Sequence, residues 1–172
     1  LVTYIQGDGL YFGMTDTDLA NSDVLIYIST GTGGSDVGYN GLGGAHNLPF
    51  SANYVLWADS ASSYDLYSYG FLGWSPSSLS TANIAMDAST SLVEFVVPWS
   101  RLGGMPDEID IVAVVQAETT ADVDVVHPSQ TLDAGATLQN LSKYMTVELT
   151  HADLDDGVLT DEVLVYQSYK GT

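Results

Sequence analysis

The chain has 172 residues, 45% of them hydrophobic, and 22 acidic residues stand against only Arg101, Lys143 and Lys170, for a net charge of −19. Phosphate backbones are held by clustered Lys and Arg, so nucleic acid is not an expected partner. With no cysteine there are no disulfides, thiolate metal sites or cysteine nucleophiles, and no apolar run approaches the ~20 residues of a membrane-spanning helix.

A chain of this size buries roughly 70% of its unfolded surface, which predicts one domain with a substantial core. Membrane insertion is not expected. No charged-then-apolar leader begins at Leu1, so a secretion signal is expected to have been removed or to lie outside this stretch. The acidity has two readings: a solvated shell that keeps the protein soluble, or oxygen ligands for a cation.

Apolar residues recur with period two, or in short blocks bounded by Gly, Asp, Asn, Ser and Pro, which is a strand pattern. In chain order this predicts strands over 2–6, 10–15, 24–29, 54–58, 64–69, 84–87, 92–98, 109–116, 145–148 and 163–166. "QGDGL" at 6–10 is a hairpin signal that pairs the first two strands. A short helical turn is expected at Ser100-Arg101-Leu102. The fold class is therefore all-β, an antiparallel β-sandwich, jelly-roll-like, with little helix.

Two long segments interrupt the strands: the Gly-rich 29–49 and the irregular 125–144, both longer than ordinary turns. Residues 151–172 read as an acidic loop followed by a closing strand or the start of a linker. Within 92–98, Val93, Phe95 and Val97 alternate with Leu92, Glu94 and Val96. Glu94 is then either a solvated residue on an outer face or a partner of Arg101 or calcium. Pro98 stops the strand, and Trp99 is expected to plug the end of the sandwich.

"VEFVVPWSRLG" at 93–103 resembles the strand and turn of family 9 carbohydrate-binding modules and the related DOMON-like domains. "GLYFGMTDTDLANSDVLIYISTGTGG" at 9–34 is similar to the early hairpin of that group, and "LPFSANYVLWADSASSYDLYSY" at 48–69 to its glucodextranase and pullulanase C-terminal versions. The resemblance covers about residues 5–149, within a domain spanning 1–150. It implies a noncatalytic extracellular or cell-surface module that binds polysaccharide or, in some branches, haem. The alternative is a structural subunit of a surface layer or filament, self-associating through edge strands.

Sugar recognition needs flat aromatic faces and a few polar groups for hydroxyls. Trp57, Tyr64, Tyr67, Tyr69 and Trp74 are the candidates, with core packing as the competing reading for Trp57 and the tyrosines. Calcium is the cofactor candidate, with Asp16, Asp18, Asn21 and Asp23 in one loop and Asp153, Asp155 and Asp156 in another. Neither loop fits an EF-hand, and Asp and Asn also serve ordinary turns. Haem is not expected: Met14, His46 and His127 are the available axial ligands, and each reads more simply as packing or loop. "GWSPS" lacks the glycine that follows a nucleophile-elbow serine, and no carboxylate pair has an acid-base context, so catalysis is not expected.

Overall fold

A computed structural model describes residues 2–6, 9–15, 21–39, 41, 46–60, 63–79, 83–87, 92–117, 123–133, 138–149 and 165–166. Its strands form two stacked antiparallel sheets and a small two-stranded one. The smaller main sheet runs β1 (Val2–Gln6), β2 (Gly9–Thr15), β10 (Leu92–Pro98), β9 (Ile84–Asp87) in spatial order. The larger runs β14 (Val165–Tyr166), β13 (Met145–Glu148), β11 (Glu108–Ala117), β3 (Ser22–Ser29), β6 (Tyr54–Ser60), β7 (Ser63–Gly70), β8 (Gly73–Pro76). The long β11 pairs with β13 through its first half and with β12 (Val123–His127) through its second.

Alternation decides what each strand buries. On β2 the even residues Leu10, Phe12 and Met14 point into the core, and on β10 Val93, Phe95 and Val97 do the same. Phe12 and Phe95 face each other across the ladder. They meet Val24, Ile26 and Ile28 of β3, Leu56 of β6, Leu66 of β7 and Ile109 and Ile111 of β11 in one cluster between the sheets. Each such side chain contributes ~1.5–3 kcal/mol on leaving water.

Glu94 occupies the outer face of β10 and is exposed, as alternation requires. Arg101 does not reach back to it; its guanidinium donates to the Ser77 carbonyl at 3.1 Å. Pro98 closes the strand and a single 3-10 turn, Trp99–Arg101, follows it, with Trp99 only 8% exposed against the core. The β1–β2 hairpin forms with Gln6 paired to Gly9, which puts Gly9 in the strand rather than in the turn.

The opposite face of the larger sheet's central strands is buried as well, odd residues on β3 and β6 and even ones on β11. Leu25, Tyr27, Val55, Val112 and Val114 form a second core on its far face. Every residue of β3 is buried in consequence. The cover comes from the two long irregular segments. One contains β4 (Ser35–Val37) and β5 (Asn47–Ala52), which pair with each other; the other folds back through Leu141 and Tyr144. Phe50 and Tyr144 meet edge to face at 5.3 Å between ring centres. At Gly34 the backbone is left-handed (φ 86°), and a Cβ there would run into the Ala52 carbonyl, so β4 can lie against β5 only with glycine at that point.

The two covers are clasped to each other. Asn47 donates its N–H to the Gln139 carbonyl and accepts from the Leu141 N–H on its own carbonyl, both at 2.9 Å, while its amide donates to Asn140 Oδ1 at 2.6 Å. His46 lies beneath, 2% exposed. Its Nδ1 accepts from the Gln139 N–H at 3.3 Å, which leaves Nε2 to donate to Gln116 Oε1 on β11 at 3.0 Å. Burial holds the His46 ring below the usual histidine range, with the Gln116 bond opposing more weakly, and the neutral Nε2–H tautomer satisfies both bonds.

Candidate functional site

β7 and β8 form the outermost hairpin of the larger sheet, with Tyr69 paired to Trp74 and Gly70 to Gly73. Tyr67 and Tyr69 share the pleat face that looks toward the second core, and β8 places Trp74 beside them. The Tyr69 and Trp74 rings stand 5.2 Å apart at 68°, and Trp74 also meets Tyr27 at 6.4 Å. Trp74 Nε1 donates to the Val37 carbonyl at 3.3 Å, tying the hairpin to β4.

Tyr39, which follows β4, stacks on Tyr67 with ring centres 4.4 Å apart. Burial, then its hydrogen bond with Tyr39, pushes the Tyr67 hydroxyl well above the ordinary tyrosine range, so it stays protonated. Between the hairpin and β4 lies an open cleft of about 340 Å³ lined by Ser35, Val37, Tyr39, Tyr69, Leu72 and Trp74. Tyr69 remains 40% exposed at its mouth. Aromatic faces, neighbouring hydroxyls and backbone groups are the chemistry that receives an uncharged, hydroxyl-rich ligand.

Three of the five aromatic candidates, Tyr67, Tyr69 and Trp74, are thus brought together. Trp57 lies on the same face but deeper in the sheet, packed on the second core with Nε1 donating to Asp23 Oδ1 at 2.9 Å. Tyr64 is on the opposite face, against the first core. Tyr39 and Val37 were not singled out from sequence. They sit in the Gly-rich segment, and only the folding of that segment over the sheet brings them to the hairpin.

Of the calcium candidates, Asp16, Asp18, Asp153, Asp155 and Asp156 lie outside the described residues. Asn21 is exposed in a turn before β3, and Asp23 is 1% exposed on β3, turned toward Trp57. Among the described residues no group of three or more His, Cys, Asp or Glu side chains is placed to hold a metal ion. The haem candidates are separated by the larger sheet. Met14 belongs to the core between the sheets, whereas His46 is engaged on the far face by Gln116 and Gln139. His127 ends β12, half-buried, with burial lowering its pKa.

A second cleft of about 420 Å³ carries Asp107, Glu108 and Asp110 beside Ser29 and Thr30. Asp110 already accepts from Thr146 Oγ1 at 2.7 Å. Among the described residues no helix is long and apolar enough to cross a membrane. Comparison with known proteins finds no matching family model, no matching curated protein and no matching solved structure.

Proposed function

We propose that this chain is a noncatalytic carbohydrate-binding module of the extracellular or cell-surface type, with the Tyr39–Tyr69–Trp74 cleft as its ligand site. The observation that carries the reading is the Tyr69–Trp74 pair, set 5.2 Å apart in an open cleft whose lining also includes the Ser35 and Tyr39 hydroxyl side chains, glycine backbone, Val37 and Leu72. A pyranose presents one C–H face to an aromatic ring and hydroxyls around its rim, and this lining offers a partner for each. The likeness of residues 5–149 to family 9 carbohydrate-binding modules and DOMON-like domains points the same way.

The rival is a surface-layer or filament subunit joined through edge strands. The sheet edges it would use are β1 and β9 on the smaller sheet and, on the larger, β14 and β8, which closes in Pro76. Titration of soluble neutral oligosaccharides followed by tryptophan fluorescence and calorimetry tests the proposal. Saturable binding that Trp74→Ala removes, with the fold intact by circular dichroism, supports it. Absence of binding across a broad panel of neutral glycans refutes it.

A further inference from the structure

The hairpin that supplies Tyr69 and Trp74 ends in a feature that a sugar in the cleft leaves uncovered. Phe71 is 102% exposed and Leu72 88%, the two most exposed large apolar side chains among the described residues. They project from a convex tip, so a small soluble ligand lying in the cleft reaches Leu72 at its edge and leaves Phe71 in water. Contiguous exposed apolar surface of this kind marks a contact site.

The rungs behind the tip change character in a fixed order. Phe71 and Leu72 come first, then Tyr69 paired with Trp74, then Ser68 with Ser75, then Tyr67 with Pro76. At ~3.3 Å per residue the rung of Tyr67 stands about 10 Å behind Gly70. An apolar end, an aromatic belt and then hydroxyls over ~5–10 Å is the depth profile of a bilayer interface, where Tyr and Trp settle at headgroup level. The cleft opens at that same aromatic rung.

Charge agrees with this placement. The chain carries −19 overall, yet residues 66–76 of the hairpin contain no Asp, Glu, Lys or Arg, and neither do the other residues that line the cleft. Asp36, between Ser35 and Val37, is exposed and does not line the cleft, while Asp59 and Asp65 stand toward the far ends of β6 and β7, where Asp65 accepts from the Leu66 and Leu79 N–H groups. Of the described cations, Arg101 donates to the Ser77 carbonyl just past β8, at the base of the hairpin away from the tip, and Lys143 to the Ser129 carbonyl. Among the described residues an anionic headgroup therefore meets no cation at the tip, and the net charge of the molecule repels it. A neutral one meets neither obstacle.

We infer that the ligand of this face is a neutral glycolipid in a membrane surface, its sugar headgroup in the cleft and Phe71 and Leu72 in the apolar layer beside it. The inference rests on the carbohydrate reading of the cleft and narrows it to sugars presented on lipid.

The test uses the intact chain with three probes: phosphatidylcholine vesicles, the same vesicles doped with a neutral dihexosyl diacylglycerol, and the free dihexoside. Headgroup recognition added to apolar contact predicts partitioning onto doped vesicles about tenfold or more above plain ones. Phe71→Ser should lower that partitioning by about the same factor while leaving the melting temperature and the free-dihexoside affinity unchanged, because Phe71 packs against neither core. Doped vesicles bound no better than plain ones overturn the inference. If the free dihexoside still binds in that case, the carbohydrate reading stands alone; if it does not, both fall. A dimer in solution that Phe71→Ser converts to monomer also overturns the inference, since the tip then serves a second copy of the chain.

Discussion

Replacing His46 by alanine should uncouple the two segments that cover the larger sheet. The ring fills one position between Gln139 on the 138–149 segment and Gln116 on β11, and its removal strands the Gln139 N–H and Gln116 Oε1 together. Both belong to residues no more than 4% exposed. A buried polar group without a partner costs ~1–3 kcal/mol, so two cost about 4 kcal/mol. For a domain of this length that lowers the melting temperature by about 8–16 °C, read by calorimetry or near-ultraviolet dichroism at neutral pH. His46→Asn is the control, because its amide oxygen stands near the place of Nδ1 and can still accept from Gln139; about half the loss should return. A His46→Ala melting temperature within ~2 °C of the parent would refute the clasp.

The same residue fixes a sign for pH. Burial lowers the folded-state pKa of His46 below the ordinary 6.5, so as pH falls below that value the unfolded chain takes up a proton that the folded chain refuses. Stability is therefore complete above about pH 6.5 and declines below it. His127 shifts in the same direction, so His46→Asn should flatten the decline without abolishing it. An unchanged slope in that variant would remove His46 from the account.

Trp74→Ala should weaken neutral-glycan binding by about tenfold or more, as measured by calorimetry, with Trp57→Phe as the comparison that leaves the cleft lining intact. Asp23→Asn keeps an acceptor for Trp57 Nε1 and should cost under ~1 kcal/mol in urea unfolding, whereas Asp23→Ala orphans the indole at ~1–3 kcal/mol. If calcium against EDTA shifts the melting of the parent and Asp23→Asn erases the shift, Asp23 is a metal ligand instead. Gly34→Ala meets both a left-handed backbone and the Ala52 carbonyl, and should destabilise by more than ~1 kcal/mol in the same assay. Glu94→Gln, exposed on β10, should stay within ~0.5 kcal/mol.

The strands that border water on one side were the legible ones. β2 and β10 alternate cleanly because their outer face is solvated, and the exposed Glu94 between Val93 and Phe95 follows from that. β3 and β11 were found too, although their near-continuous apolar runs hide which face is which; both faces are covered. β4, β5, β8 and β12 leave no clear strand pattern in the sequence. Pro49 and Pro76 break the pattern of β5 and β8, β4 is three residues among glycines, and β12 was absorbed into the irregular 125–144 segment.

The aromatic site was half visible for a related reason. Tyr64 sits on the even face of β7 and Tyr67 and Tyr69 on the odd one, so residue parity alone separates the first-core tyrosine from the two on the side of the cleft. Nothing local connects Tyr39 to Tyr67. Their stacking exists because the Gly-rich segment lies across the sheet, and that path is set by tertiary contacts such as Gly38 N–H to the His46 carbonyl at 2.8 Å.

Because the β4–β5 cover and the 138–149 cover hold each other through Asn47, neither can lift while the other stays seated. Amide hydrogens under them, on the central residues of β3 and β11, should therefore exchange with solvent in one concerted opening rather than loop by loop. Sequence insertions follow the same division. The Gly-rich segment has the composition of a tolerant linker, yet added residues beside Asn47 would pull the clasp out of register. The tip at Gly70–Gly73, joined to the body by its own two strands, is where extra chain can be accommodated.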